Sequence, residues 1–191
     1  MSILTANEVE QETIVTAAKL IMAAVTTAPK TRGVSTIQSV LIQGEDKERL
    51  AQAIENHGPQ KASVGDIFKR DAQNVRSSAA VVLIGVKGTM PKKPENPLNC
   101  GACGYPSCLE FIQAKKGKRG EDFVGPLCVF QSIDLGIALG VAVKMAAELN
   151  IDNRLMYTIG AGAMEMKVLD ADMIIGLPLS VAAKNIFFDR G

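Results

Sequence analysis

All four cysteines of the 191-residue chain fall between positions 100 and 128. Three lie in Asn99-Cys100-Gly101-Ala102-Cys103-Gly104-Tyr105-Pro106-Ser107-Cys108, and the fourth is Cys128. Two residues separate Cys100 from Cys103, four separate Cys103 from Cys108, and nineteen separate Cys108 from Cys128. Three thiolates on a glycine-containing turn, completed by a fourth from a later loop, is how proteins hold an iron–sulphur cluster. Structural zinc sites more often pair two short knuckles; here the second half offers one cysteine, with no histidine near it in sequence. Two-iron plant-type spacing runs Cys-x4-Cys-x2-Cys, the reverse of the order seen. A four-iron cluster is therefore expected, with zinc, a two-iron cluster or disulfides as the alternatives.

The residues between the cysteines agree with that expectation. Gly101 and Gly104 tolerate positive φ and let backbone N–H groups approach inorganic sulphide. Pro106-Ser107 reads as the opening of a helix through Leu109 to Ala114, which sets Cys108 in the first turn, where the helix dipole favours a thiolate. The string Asn-Cys-Gly-Ala-Cys-Gly-Tyr-Pro-Ser-Cys, followed by Glu110-Phe111 and a later Cys, resembles the small four-iron domain of corrinoid iron–sulphur proteins. The same domain occurs in the cluster-bearing subunit of Rnf-type membrane electron-transport complexes. The resemblance covers about residues 98–130. It implies that Cys100, Cys103, Cys108 and Cys128 bind one [4Fe-4S] cluster. The gap before Cys128 is longer than in that domain and carries a basic insert, Lys115-Lys116-Gly117-Lys118-Arg119-Gly120. The whole chain is also similar to a family of small prokaryotic proteins known only as containing a ferredoxin domain.

Composition narrows the function classes. A net charge of +1, a charged fraction of 21%, few aromatic residues (4%) and no Trp argue against nucleic acid or an anionic membrane surface as partner. Met1-Ser2-Ile3-Leu4-Thr5 lacks the basic region and apolar core of a signal peptide. With a cluster motif in place of disulfides, a cytoplasmic location is expected. The apolar stretch Leu135 to Val143 is bounded by Asp134 and Lys144. It is far shorter than the roughly 20 residues of a membrane span, so a buried helix over about 132–150 is expected.

Along the chain, Thr5-Ala6-Asn7-Glu8 has the form of a capping box. It precedes a helical stripe of Ile14, Ala17, Ala18, Ile21, Met22 and Val25, ended by Pro29. Ile37 to Ile42 reads as a strand, Glu45 to Asn56 as a polar helix, and Ser63 to about Arg76 as another. His57, the one histidine, is expected to cap the preceding helix. The unbroken apolar run Ala79 to Val86 predicts a strand covered on both faces. Pro91 to Pro97 then serves as a linker into the cysteine segment. Residues 155–160 read as strand or turn, Ala163 to Val168 as a short helix, and Asp172 to Pro178 as a strong strand. The tail 183–190 reads as an extended segment able to pair at a sheet edge or with another subunit. The chain is thus expected to be α/β (α+β), a central sheet covered by helices, with 1–87 and 131–191 as scaffold and 88–130 as an inserted cluster-binding segment.

This scaffold resembles the flavin-binding nitroreductase fold on two points: Ala28-Pro29 between an early helix and a strand, and a late strand ending in Gly176-Leu177-Pro178. The resemblance implies a homodimer with flavin mononucleotide (FMN) at its interface. The early Arg-Ser-x-Arg phosphate sequence of that fold is missing here, and Lys30, Arg32 and Arg190 are the substitute phosphate partners. No Gly-x-Gly-x-x-Gly or Gly-x4-Gly-Lys motif occurs. Two functions follow from these readings. One is electron transfer through the cluster, with the basic insert docking an acidic ferredoxin- or flavodoxin-like partner. The other is a flavin-dependent oxidoreductase whose cluster feeds the flavin. A purely structural zinc site is the third reading.

Overall fold

The apolar run at 79–86 decides the architecture. The computed structural model describes residues 3–61, 63–118 and 121–188. Its elements are α1 (Ala6–Thr27), β1 (Ile37–Ile42), α2 (Glu45–His57), α3 (Gly65–Ser77), β2 (Ala80–Val86), α4 (Cys108–Gln113), β3 (Gly117–Lys118), β4 (Val124–Gly125), α5 (Val129–Glu148), β5 (Asp152–Asn153), α6 (Tyr157–Met166) and β6 (Met173–Ser180). Every residue of β2 is buried. It is an inner strand of a sheet ordered β1-β2-β6-β5, in which each neighbouring pair is antiparallel. Antiparallel strands usually alternate because one face meets water. Here the alternation is lost because helices cover both faces.

Period-2 geometry sorts the sheet residues into two cores. Ala80, Val82, Ile84 and Val86 join Leu177 and Leu179 against α1 and α5. Val81, Leu83 and Ile174 face the other way, onto α2, α3 and α6. The result is a three-layer α/β/α sandwich. The α1 stripe is buried as its spacing predicts, and Thr5 N donates to Glu8 Oε2 (2.7 Å) at its start. At its end Lys30 Nζ donates to the carbonyls of Val25 (2.8 Å) and Thr26, two of the groups a helix C-terminus leaves without partners. α5 has the length and mean hydropathy (1.5) of a membrane span, yet Leu135, Ala138, Ala142 and Ala146 are buried in the first core.

Three local expectations are corrected. α5 starts at Val129, directly after Cys128 and three residues earlier than its apolar pattern suggests. Residues 157–160, expected as strand or turn, are helical and begin α6. Their glycines explain it: a Cβ on Gly160 would lie 1.7 Å from the Ile174 carbonyl oxygen, and one on Gly162 would lie 2.6 Å from Ile54 Cγ1. Close approach to β6 and α2 thus outweighs the low helix propensity of glycine. Within the described residues the tail pairs with no strand of the chain's own sheet. It folds into a turn over 186–188, and Phe187 is buried in the second core.

Gly160→Ala is expected to cost about 3 kcal/mol, because the carbonyl it would strike belongs to an inner strand that cannot retreat. Chemical denaturation of the variant checks this, and wild-type stability would count against the tight α6–β6 seam.

Candidate metal centre

The cysteine loop is shaped by backbone that only a few residue types adopt. Asn99 (φ 47°), Gly101 (φ 72°) and Gly104 (φ 86°) are all left-handed. Gly104 N donates to Gly101 O (2.9 Å), closing the turn between Cys100 and Cys108. Asn99 Oδ1 accepts from Cys108 N (2.9 Å), which brings the residue before the first cysteine onto the amide of the third. Ser107 Oγ caps α4 by accepting from Glu110 N (3.2 Å), so Cys108 is the first helical residue. Phe111, one turn on, is buried and meets Tyr105 edge-on at 5.8 Å. Lys116 lies 3.5 Å above the Phe111 ring. Of the basic insert, Arg119, Gly120 and the Lys118 side chain fall outside the described residues.

Cys128 is delivered from the other side. It immediately precedes α5, and its N–H donates to Gly88 O (2.9 Å), just beyond β2. Cys100, Cys108 and Cys128 line one cleft, walled by Pro91, Pro97, Leu98 and Phe130, with Arg32 and Lys93 also lining it. Cys103 is half-buried and lies outside that lining. All four thiols are free, so the disulfide alternative is not adopted. Among the described residues no three His, Cys, Asp or Glu side chains converge on one point as a single ion requires. A tetrahedral zinc needs its sulphurs at about 2.3 Å from one centre. An iron–sulphur cluster spreads its thiolates over several irons and so accepts a wider set. The metal-binding side chains lining the cleft are thiols with no carboxylate or imidazole, a soft set that suits an iron–sulphur cluster. The residues present fit such a group.

Two buried carboxylates hold the cleft together. Asp134 Oδ1 accepts from Thr31 N (2.9 Å) and Thr31 Oγ1 (2.8 Å), and its Oδ2 pairs with Lys92. Burial alone would raise the Asp134 carboxyl, but Lys92 and the two Thr31 donors together hold it below the usual range. Lys92 Nζ also donates to Val34 O (2.6 Å), so one ammonium ties the linker to both sides of the α1–β1 turn. Asp172 Oδ2 accepts from Gly88 N (2.8 Å), Thr89 N (2.9 Å) and Thr89 Oγ1 (2.9 Å). Its backbone receives Val124 N (2.9 Å) and donates to Val86 O (2.8 Å).

The sequence-predicted residues outside the cysteines fare differently. Lys30 is engaged at the end of α1. Arg32 lines the cysteine cleft, and Arg190 falls outside the described residues. His57 does end α2, but its ring is buried and does not serve the helix carbonyls. Nε2 instead bonds Asp122 Oδ1 (2.7 Å), in the loop between β3 and β4. Asp122 Oδ2 also receives Lys61 Nζ (2.8 Å) and the Tyr157 hydroxyl. Sequence reasoning missed Asp122, Asp134, Lys92 and Asp172. The one available signal was Asp134, a carboxylate set inside an apolar helix.

Burial pushes the Asp122 carboxyl up, but its three donors outweigh this and leave it below the ordinary range. A lowered carboxyl stabilises the fold fully above the unfolded value, and the gain is lost as pH falls through the folded one. Asp122→Asn is expected to lose about 2 kcal/mol at neutral pH. The gap to wild type should close below about pH 4, and denaturant titrations across that range read it out.

A profile described as a putative Fe-S cluster matches residues 97–119. One described as an uncharacterized protein containing a ferredoxin domain matches residues 124–190. A protein of Archaeoglobus fulgidus, described as uncharacterized, is 44% identical over 189 residues, covering 98% of this chain and 97% of its own. Among solved structures, a nitroreductase-like family protein from Bacillus cereus aligns with a TM-score of 0.54 at 12% identity, over 97% of this chain and 90% of its own. The FMN-dependent nitroreductase of Mycobacterium smegmatis gives 0.54 at 8%, over 88% and 78%. The NADPH:FMN oxidoreductase of Vibrio harveyi gives 0.52 at 14%, over 89% of this chain and 60% of its own, so this chain spans about three fifths of that enzyme's length. At such identities the likeness establishes the fold alone, and that is the nitroreductase fold expected from the sequence. The near-full-length relative and the two profiles together show that the chain belongs to the family of uncharacterized proteins containing a ferredoxin domain.

Proposed function

We propose that this iron–sulphur protein is a cytoplasmic electron carrier, with one [4Fe-4S] cluster held by Cys100, Cys103, Cys108 and Cys128. The observation that carries this reading is the one cleft that Cys100, Cys108 and Cys128 all line: thiols, apolar walls and cations, with no carboxylate in the lining. When bound, the cluster supplies one-electron chemistry. The chain's own residues do the rest. The left-handed turn at Gly101 and Gly104 shapes the loop between Cys100 and Cys108, Pro91, Pro97, Leu98 and Phe130 wall the cleft, and Asp134 keeps the Lys92 ammonium neutralised. The basic Lys115 to Arg119 segment serves as the docking point for an acidic ferredoxin- or flavodoxin-like partner.

A second reading is favoured by the fold: a flavin-dependent oxidoreductase, with Lys30, Arg32 and Arg190 toward the FMN phosphate and the cluster feeding the flavin. A homodimer goes with it. Supporting that, Ile133 and Ile137 on α5 are exposed, and Gly136 and Gly140 beside them have nothing within 4 Å of a Cβ position. A sedimentation mass of a single chain would reject the dimer.

Anaerobically purified protein is expected to carry about four irons and matching sulphide per chain, with visible absorbance that bleaches on reduction. Cys100→Ala and Cys103→Ala should abolish the iron while leaving the helical circular dichroism near wild type. Flavin released on denaturation would move the assignment to the second reading. A colourless protein holding one zinc per chain would sink both.

A further inference from the structure

The turn between α1 and β1 places Arg32 in a conformation that non-glycine residues seldom take. Its φ of 60° and ψ of 15° are left-handed, and Gly33 follows at φ 67°. Both flanks of the turn are fixed by partly buried bonds. Thr31 is gripped by Asp134 through its N–H and hydroxyl, and Lys92 Nζ binds the carbonyls of Thr31 (3.2 Å) and Val34 (2.6 Å). Gly33 N donates to Lys30 O (3.0 Å). This bracing holds Arg32 in its unusual backbone state, and its side chain crosses to the cysteine lobe. The guanidinium donates to the carbonyl of Asn96, four residues before Cys100. An unfavourable backbone maintained by its surroundings points to a use for the side chain it presents.

The charges around the cleft indicate that use. Of the three cations lining it, Lys92 is cancelled by Asp134, while no carboxylate in the lining offsets Arg32 or Lys93; of these two, Arg32 is held in place by its braced turn and its bond to the Asn96 carbonyl. A guanidinium stays charged at any relevant pH. Thiolate-held clusters are anionic, and taking up one electron adds a further negative charge. A fixed cation beside the site therefore stabilises the reduced form more than the oxidised one. We infer that Arg32 sets the reduction potential of the cluster, raising it above the value the cysteine loop alone would give. The inference rests on the electron-carrier reading. The step is one electron from a one-electron donor to the cluster, with no bond made or broken and the guanidinium proton retained.

The test is a redox titration of anaerobically purified full-length protein, followed by electron paramagnetic resonance of the reduced cluster, with dithionite as reductant. Iron and sulphide are assayed on the same samples. Arg32→Gln and Arg32→Met are the neutral variants, and Arg32→Lys keeps the charge. At the wild-type midpoint, each neutral variant is expected to hold roughly tenfold less reduced cluster relative to oxidised. For a one-electron couple that is a midpoint lower by about 59 mV. Arg32→Lys should shift by clearly less. A wild-type midpoint in either iron-loaded neutral variant overturns the assignment. So does loss of iron from both, which would make Arg32 a residue for assembling the loop. A wild type that binds no iron and sulphide fails differently: it removes the electron-carrier reading itself.

Discussion

The cysteine end of the molecule hangs on the carboxylate of Asp172. It sits at the start of the last strand, buried, and its Oδ2 takes three donors from Gly88 and Thr89, where the chain leaves β2. Its own peptide groups bond Val86 on one side and Val124 on the other. One residue therefore joins the exit of the central strand, the beginning of β6 and the hairpin that returns toward Cys128. A buried carboxylate without partners would be costly, and here N–H and O–H donors within the joint satisfy it. Lys87 stands 3.7 Å from Oδ1 and adds charge balance from the half-exposed side.

A second joint ties the same end of the molecule together. Asp134 on α5, Lys92 in the proline-rich linker and Thr31 before β1 come from three distant parts of the sequence and meet in a nearly water-free pocket. A buried ion pair of this kind adds little net stability, because desolvation offsets the attraction. It does discriminate: a shifted α5 or a misplaced linker would leave a bare charge inside the protein. The pair acts as a register pin, seating the N-terminal part of α5, and hence Cys128 before it, against the turn that carries Arg32.

Local signals in the sequence reached a long way, and they stopped where partners are distant. The run Ala79 to Val86 announced β2 within a residue, Ile37 to Ile42 announced β1, and Thr5 with Glu8 announced the start of α1. Each depends on neighbours in sequence. The cysteine spacing and the left-handed glycines were legible for the same reason. By contrast α6 begins where glycines weaken helix propensity, because its packing partners are Ile174 and Ile54. The tail turned inward because Phe187 had a core to enter. His57 read as a cap, since nothing near it in sequence foretells Asp122, 65 residues on. The same holds for Lys92 with Asp134: a lysine among prolines carries no mark of the carboxylate that will neutralise it.

The bond from Cys128 N to Gly88 O has a consequence for how the chain closes on itself. A segment of about forty residues departs and returns through points one hydrogen bond apart, at the margin of a sheet complete without it. Closing an excursion between fixed points costs only logarithmically in its length, so its length weighs little on the folding of the sheet. The polar ties at Asp122 and Lys92 then fix the excursion to the rest of the molecule.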